Sequence, residues 1–163
     1  MKTYQSKNRG FTIIEVMIVL AIAGLIMLIV FLAVPALQRT ARNTQRSTDA
    51  AAALAAVNNY VTNNGGALPT AAGTSFAAPV LTVGGGAGTA AATANLGYYT
   101  ANVTLSDSYS APSNAQPDSL HIYKSTSCLS ATQAQPSTSS RQVAVVYGIE
   151  TGSNAYAWQC KDS

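Results

Sequence analysis

The chain has 163 residues and a net charge of +3, with charged side chains at 9% of positions against roughly 25% in soluble globular proteins. This length accommodates one membrane segment and one small domain. Lys2, Lys7 and Arg9 account for the whole net charge, because the remaining basic and acidic side chains are equal in number. The basic isoelectric point therefore does not indicate a nucleic-acid-binding domain. The uncharged polar composition instead suits packing against copies of the same chain.

The first segment is a short basic leader, residues 1–10, followed by an apolar run over residues 11–37. In this run only Thr12 and Glu15 are clearly polar. At 1.5 Å per residue the run predicts roughly 40 Å of helix, which exceeds the ~20 residues that cross a bilayer. A carboxylate within such a segment costs roughly 2 to 3 kcal/mol or more, which makes Glu15 a candidate functional residue.

A secretory signal peptide is the simplest alternative for this segment, because it also combines a basic start with an apolar core. The apolar core after Glu15 is longer than the usual 7 to 15 residues, and an acid is unfavourable inside it. We therefore favour a retained membrane anchor. Three basic residues flank the run on each side, so the positive-inside rule hardly separates its two ends. The two cysteines favour a domain outside the cytoplasm.

Residues 38–64 are predicted to continue the helix as an amphipathic segment, because apolar and small side chains recur at three- and four-residue steps. The pattern is carried by Leu37, Ala41, Thr44, Thr48, Ala51, Leu54, Val57 and Val61. Asn63 and Asn64 precede two glycines, a strong signal for the end of a helix. Such a segment needs a domain on which its apolar stripe can lie.

Residues 65–96 are rich in Gly, Ala and Thr and include the glycine-rich stretch 84–88. A phosphate-binding loop would need a Gly-Lys-Ser/Thr ending and a preceding strand, and the sequence predicts neither. We expect this segment to be a flexible surface loop.

Residues 97–163 change to a period of two, which predicts strands. The expected strands cover 99–105, 120–123, 143–149 and 155–160, with a turn at 151–154 and an exposed connection at 125–140. Short strands joined by turns favour an antiparallel sheet with one face packed on the helix. The predicted fold class is therefore α+β.

Catalytic chemistry finds little support in the sequence. The single histidine, His121, lies in a strand-like segment, and Asp107, Asp118 and Glu150 are scattered without acid–base or metal-binding spacing. The sequence therefore predicts a protein that is not an enzyme and has no cofactor, metal site or small-molecule substrate.

Cys128 and Cys160 are the only cysteines, and the 31 residues between them match neither a CxxC motif nor a zinc pattern. A redox or metal pair is the alternative, but we favour a structural disulfide that closes the C-terminal sheet. Closing such a loop stabilises a fold by roughly 3 to 4 kcal/mol on the chain-entropy argument.

Three arginines, Arg39, Arg42 and Arg46, share one face of the predicted helix. DNA binding is one interpretation of this face. Contact with lipid headgroups, or pairing with carboxylates such as Asp49, is the interpretation that we favour.

Residues 10–19, which read Gly-Phe-Thr-Ile-Ile-Glu-Val-Met-Ile-Val, resemble the N-terminal cleavage and methylation motif of type IV prepilins and type II secretion pseudopilins. The resemblance covers about residues 1–37, and Gly24 matches a glycine that is usual in those helices. Pro35 lies about one turn later than the family's common helix proline. The resemblance implies cleavage between Gly10 and Phe11, N-methylation of Phe11, and a role for Glu15 in assembly. The late cysteine pair also matches the disulfide-bounded region of many type IV pilins.

The resemblance implies a structural pilin, cleaved and methylated by a prepilin peptidase and polymerised through its N-terminal helix into a type IV pilus. Its expected partners are membrane lipid, an inner-membrane assembly platform with its ATPase, and copies of itself. The precursor would be a single-pass inner-membrane protein with a cytoplasmic N-terminus, and the pilus would serve adhesion, twitching motility or DNA uptake at the cell surface. A pseudopilin of a secretion or competence system is the nearest alternative, and a membrane-anchored binding protein is the second.

Overall fold

A computed structural model describes residues 10–112, 116–137, 139, 141–152 and 154–163. These residues form one long helix, α1 (Ile13–Asn63), followed by strands. The strands are β1 (Ser75–Ala77), β2 (Val80–Val83), β3 (Ala92–Asn95), β4 (Val103–Ser106), β5 (Leu120–Lys124), β6 (Thr126–Ser130), β7 (Gln133–Pro136), β8 (Val143–Gly152) and β9 (Ala155–Asp162). The chain divides into two compact units, Met1–Arg39 and Thr40–Ser163. The predicted α+β class with a long N-terminal helix is confirmed.

The part of α1 in the first unit is apolar on all sides. Every side chain from residue 10 to residue 38 is exposed, including Phe11 at 88% and Phe31 at 76% of full exposure. The helix runs through Pro35 without interruption. By length and composition this is a candidate membrane span.

The part of α1 in the second unit buries one face against the sheets. The buried positions recur at steps of one and three: Arg46, Asp49, Ala50, Ala53, Ala56, Val57 and Tyr60. Ala50, Ala53 and Ala56 let the helix backbone approach its partners closely. The predicted stripe is confirmed only in its second half: Val57 is buried and Leu54 and Val61 pack against the core, whereas Leu37, Ala41, Thr44, Thr48 and Ala51 are exposed. Small residues cover both faces, so their spacing did not reveal that the buried face includes an arginine and an aspartate.

The main sheet has the strand order β4-β5-β8-β9 and lies in one core with this helical face. Alternate side chains of β5 and β8 enter that core: Leu120, Ile122, Val143, Val145 and Tyr147. The opposite face forms a smaller cluster around Tyr123, Ala144, Val146 and Cys160, against which Trp158 packs. The sequence therefore predicted the alternation of β5 and β8 correctly.

One pair in this sheet departs from the antiparallel prediction. β4 and β5 run parallel, with Val103 opposite Leu120, whereas the β5–β8 and β8–β9 pairs are antiparallel. Their connection, residues 107–119, is long enough for the crossover of about a dozen residues that parallel strands require. β4 also begins later than expected. Tyr99, the first residue of the expected strand, is buried in the core but does not belong to a strand.

The expectation of a flexible loop over residues 65–96 was wrong. β1, β2 and β3 form an antiparallel sheet there, and Leu81, Val83 and Leu96 are buried in the main core. Ala, Gly and Thr dominate the segment, so its few large apolar residues gave too weak an alternation to predict strands. The glycine-rich stretch 84–88 lies between β2 and β3.

Most described residues of the connection 125–140 are exposed, as expected, but the connection also contains a hairpin of β6 and β7. Thr126 at its start is fully buried, whereas Leu129 at its far end is exposed. Thr138 and Ser140 of this expected connection, and Ser153 of the expected turn, lie outside the described residues.

Candidate functional site

The predicted processing junction lies just before the helix. Gly10 and Phe11 precede α1 and are both exposed, and a Cβ atom added to Gly10 would meet no described atom within 4 Å. The rest of the predicted leader, residues 1–9, lies outside the described residues. Cleavage at this junction and methylation of Phe11 remain predictions.

Glu15 and Thr12 form a capping box at the first turn of α1. The Thr12 backbone N–H donates to Glu15 Oε2 at 2.8 Å, and the Thr12 hydroxyl donates to the same oxygen at 2.7 Å. The Glu15 backbone N–H lies 3.4 Å from Thr12 Oγ1. A Thr-x-x-Glu spacing satisfies N–H groups that have no partner within the helix, and it is readable from sequence. The prediction for Glu15 did not include this local role.

The surroundings of this carboxylate are otherwise apolar. Glu15 shares a groove of about 520 Å³ with Phe11, Val16, Val19 and Leu20. The first turn of α1 therefore presents one acid within an exposed apolar surface.

Two of the three arginines on the predicted basic face pair with one carboxylate. Arg42 donates to both oxygens of Glu150, at 3.0 and 2.6 Å, and Arg46 donates to Glu150 Oε1 at 2.6 Å. The Arg46 side chain is completely buried, and its guanidinium lies 4.4 Å from the centre of the Tyr98 ring. Hydrogen bonds from Arg42 and then Arg46 lower the pKa of Glu150 to about 2, although desolvation opposes this shift.

Pairing with a carboxylate, one of the two roles favoured for the arginine face, is confirmed for Arg42 and Arg46, but Asp49 was the wrong example. The partner carboxylate is Glu150 and not Asp49, which instead accepts the Tyr98 backbone N–H at 2.7 Å. Because Arg46 is buried and Arg42 already pairs with Glu150, the three arginines do not form a free basic surface for DNA. The network joins α1 to the far end of β8.

Cys128 and Cys160 form a disulfide between β6 and β9, with their Cα atoms 5.8 Å apart. The Cys128 backbone N–H also donates to Asp162 Oδ2 at 2.8 Å. The bond ties the β6–β7 hairpin to the face of the main sheet that is opposite the helix.

His121 has a packing environment rather than an acid–base partner among the described residues. Its Nδ1 lies 2.9 Å from the Thr104 hydroxyl, and its ring contacts Tyr123 and Trp158. Burial lowers the pKa of His121, which favours the neutral imidazole. Across the part of the chain that the structure describes, no group of three or more His, Cys, Asp and Glu side chains is placed to hold a metal ion.

Comparison with known families identifies the N-terminal segment. Residues 5–31 match the prokaryotic N-terminal methylation motif. No curated protein and no solved structure gives a significant match to the chain. The match covers the predicted processing junction and most of the exposed apolar helix, and it does not extend into the second unit.

Proposed function

The chain carries the N-terminal methylation motif that is the hallmark of the type IV prepilin and pseudopilin family, and we propose that it is a structural subunit of a type IV pilus. The observation that carries this proposal is the motif followed at once by a helix whose apolar side chains are exposed on every side. Proteins of this family are structural and not enzymatic.

The exposed helix explains why the chain needs two successive environments. An apolar surface around the whole helix is unstable in water and is covered by lipid in a membrane. In a filament, copies of the same helix cover it. Association in the membrane then depends on close packing and on polar pairs, because lipid tails are as apolar as the helix surface.

Processing supplies the polar pair in this proposal. Cleavage after Gly10 converts Phe11 into a new amino terminus, which is then methylated and remains a cation. Glu15, the acid in the apolar groove beside Phe11, is the nearest carboxylate in sequence to that amine. In helices staggered by one subunit, Glu15 of an incoming chain pairs with the Phe11 amine of its neighbour. This pair fixes the axial register between neighbouring helices. Contact between their apolar surfaces stabilises the bundle but favours no particular register.

The pathway that follows has defined partners. A prepilin peptidase cleaves and methylates the precursor on the cytoplasmic side of the inner membrane. An assembly platform with its ATPase then moves the subunit from lipid into the fibre. The second unit, with its disulfide, faces the outside of the cell.

Expression of the chain together with a pilus assembly system tests the proposal. Negative-stain images should show surface filaments, and intact-mass analysis of sheared filaments should give a subunit that begins at Phe11 with one added methyl group. Finding only membrane monomers that retain residues 1–10 would contradict it. A pseudopilin role would instead appear as loss of protein secretion or DNA uptake on deletion, without surface filaments at native expression.

A further inference from the structure

A polar cavity of about 790 Å³ lies at the edge of the main sheet. Strands β4 and β5 and the connection 107–119 provide its described lining residues. The volume is in the range of about 300 to 1,000 Å³ that is usual for ligand sites. The pilin proposal gives this cavity no role.

Several side chains that line the cavity carry hydrogen-bonding groups. Asn102, Thr104, Gln116 and Asp118 all line it and are exposed to solvent. Asparagine and glutamine each provide donors and acceptors, and a carboxylate accepts two neighbouring donors at once. This set matches a ligand that carries several adjacent hydroxyl groups.

Two aromatic rings, those of His121 and Tyr123, also line the cavity. They stack with centroids 6.1 Å apart and planes at 23°. Trp158 packs edge-on against His121 at 5.7 Å, and Tyr109 packs edge-on against Tyr123 at 5.1 Å. Tyr123 is itself buried, at 4% exposure, so only the half-buried His121 ring can contact a ligand. The ring contacts hold His121 in place, so a ligand that packs on it causes little further loss of side-chain entropy.

The charge of the lining excludes several ligand classes. Asp118 is its only charged side chain among the described residues, and no lysine or arginine lines it. Phosphate groups and sulfated or sialylated glycans need cationic partners, so they do not fit. A purely apolar ligand does not fit either, because the exposed hydrogen-bonding groups would lose water without compensation.

We propose that this cavity binds a neutral carbohydrate. One face of a pyranose ring presents C–H groups, which pack on the half-buried His121 ring, while its hydroxyl groups bond to Asn102, Gln116 and Asp118. Thr104 holds the imidazole through its 2.9 Å contact with Nδ1 and so acts as a positioning residue.

The binding test uses the full-length chain in a detergent without a sugar headgroup. The probes are immobilised neutral and N-acetylated oligosaccharides, with sulfated and sialylated oligosaccharides for comparison. The tightest neutral binder is then measured in solution by titration calorimetry. We expect neutral glycans to bind and anionic glycans to bind at least tenfold more weakly.

Two variants locate the binding in the cavity. Gln116→Ala/Asp118→Ala removes two exposed polar side chains, and His121→Ala removes one ring. Each should weaken binding at least tenfold while circular dichroism remains that of the unchanged protein. Thr104→Val should weaken binding less, because it releases the imidazole without removing it. Asn59→Ala, an exposed position on α1 outside the cavity, is the matched control and should bind like the unchanged chain.

Three results would overturn the proposal. They are the absence of binding to every neutral probe at millimolar concentration, equal affinity in the folded cavity variants, and a preference for anionic glycans. If His121→Ala does not fold, the Gln116→Ala/Asp118→Ala variant decides the outcome, because both of its side chains are exposed.

Discussion

At the scale of single residues, Glu15 has two possible partners that belong to different stages of the proposed pathway. Within one chain the carboxylate accepts hydrogen bonds from Thr12. In the proposed filament it pairs with the Phe11 amine of a neighbouring subunit. The two roles require different chemistry, because a neutral amide also completes a capping box but provides no charge.

Substitutions at Glu15 separate these roles. We expect Glu15→Ala to be inserted and cleaved but to polymerise poorly or not at all. Glu15→Asp should retain part of the assembly activity, because it keeps the charge, but its shorter side chain limits how well it reaches the amine. Glu15→Gln should keep the cap and still fail to assemble, because it cannot pair with a cation. Filament yield and the mass of the membrane-bound subunit measure both steps, without a wild-type copy present.

Thr12→Val is the matched control for the cap, since it removes the hydroxyl and leaves the carboxylate. Filaments at wild-type yield from Glu15→Gln would show that the cap suffices. Filaments at wild-type yield from Glu15→Ala would contradict both roles.

Glu150 is the second residue whose charge matters, and it predicts a pH dependence. Its pKa is lowered to about 2 by Arg42 and Arg46, from an ordinary value of 4.5. A lowered pKa stabilises the folded state above the unfolded value, and this stabilisation is lost as pH falls from about 4.5 towards 2. Glu150→Gln should therefore be less stable at pH 7, and its stability should decline less between pH 5 and pH 2.

Thermal unfolding followed by Trp158 fluorescence measures this effect, and Asp107→Asn is the control. Asp107 also forms an ion pair, with Lys124, but its side chain is 66% exposed, and exposed pairs contribute about 0 to 1 kcal/mol. If the stability of wild type and of Glu150→Gln changed with pH in the same way, the ion pairs of Glu150 with Arg42 and Arg46 would not stabilise the fold.

At the scale of elements, Gly85 allows the segment of residues 65–96 to approach α1 closely. A Cβ atom on Gly85 would lie 1.9 Å from the Tyr60 hydroxyl oxygen, and the backbones of Gly73 and Gly84 are also in close contact. Tyr60 is buried at the end of the helical face, so it has little room to move.

Gly85→Ala should therefore destabilise the fold by about 1 to 3 kcal/mol, the usual effect of overpacking a core. Gly86→Ala is the matched control, because a Cβ atom there meets nothing within 4 Å. Chemical denaturation of both variants measures the difference. Equal stability of the Gly85→Ala and Gly86→Ala variants would mean that the Tyr60 side chain moves aside without lowering the free energy of unfolding.

The disulfide acts at the same scale, because it fixes the β6–β7 hairpin on the main sheet. Replacing Cys128 and Cys160 by Ser should lower stability by roughly 3 to 4 kcal/mol and leave membrane insertion unchanged, since the apolar helix does not depend on this hairpin. Non-reducing peptide mapping of the native protein should first identify the linked peptide. Two free thiols there would contradict both the bond and an external location.

At the scale of the whole molecule, processing separates a membrane precursor from a filament subunit in the proposed function. Gly10→Val should prevent cleavage, because it places a branched side chain at the junction, and full-length precursor should accumulate in the membrane. Intact-mass analysis distinguishes the two forms. Assembled material that still contains residues 1–10 would contradict a requirement for processing.

The long helix, the α+β class and strands β5 and β8 were determined by local sequence, and the candidate cysteine pair by composition, since the chain has two cysteines. The apolar run and the period of two are visible within a short window. Each depends on neighbours a few residues apart, so one sequence suffices to recognise it. The capping box of Thr12 and Glu15 was equally local, and its spacing was available from the sequence.

The remaining features were decided only by tertiary structure, because they join residues that are distant in sequence. The Arg46–Glu150 pair spans a sequence separation of 104 and replaced the predicted pairing with Asp49. The parallel pairing of β4 and β5 depends on the connection 107–119, and the burial of Leu81, Val83 and Leu96 depends on the core shared with α1, which Gly85 approaches closely at Tyr60. Small side chains fit many surroundings, so their sequence pattern does not identify their contacts, and only the packed fold selects among them.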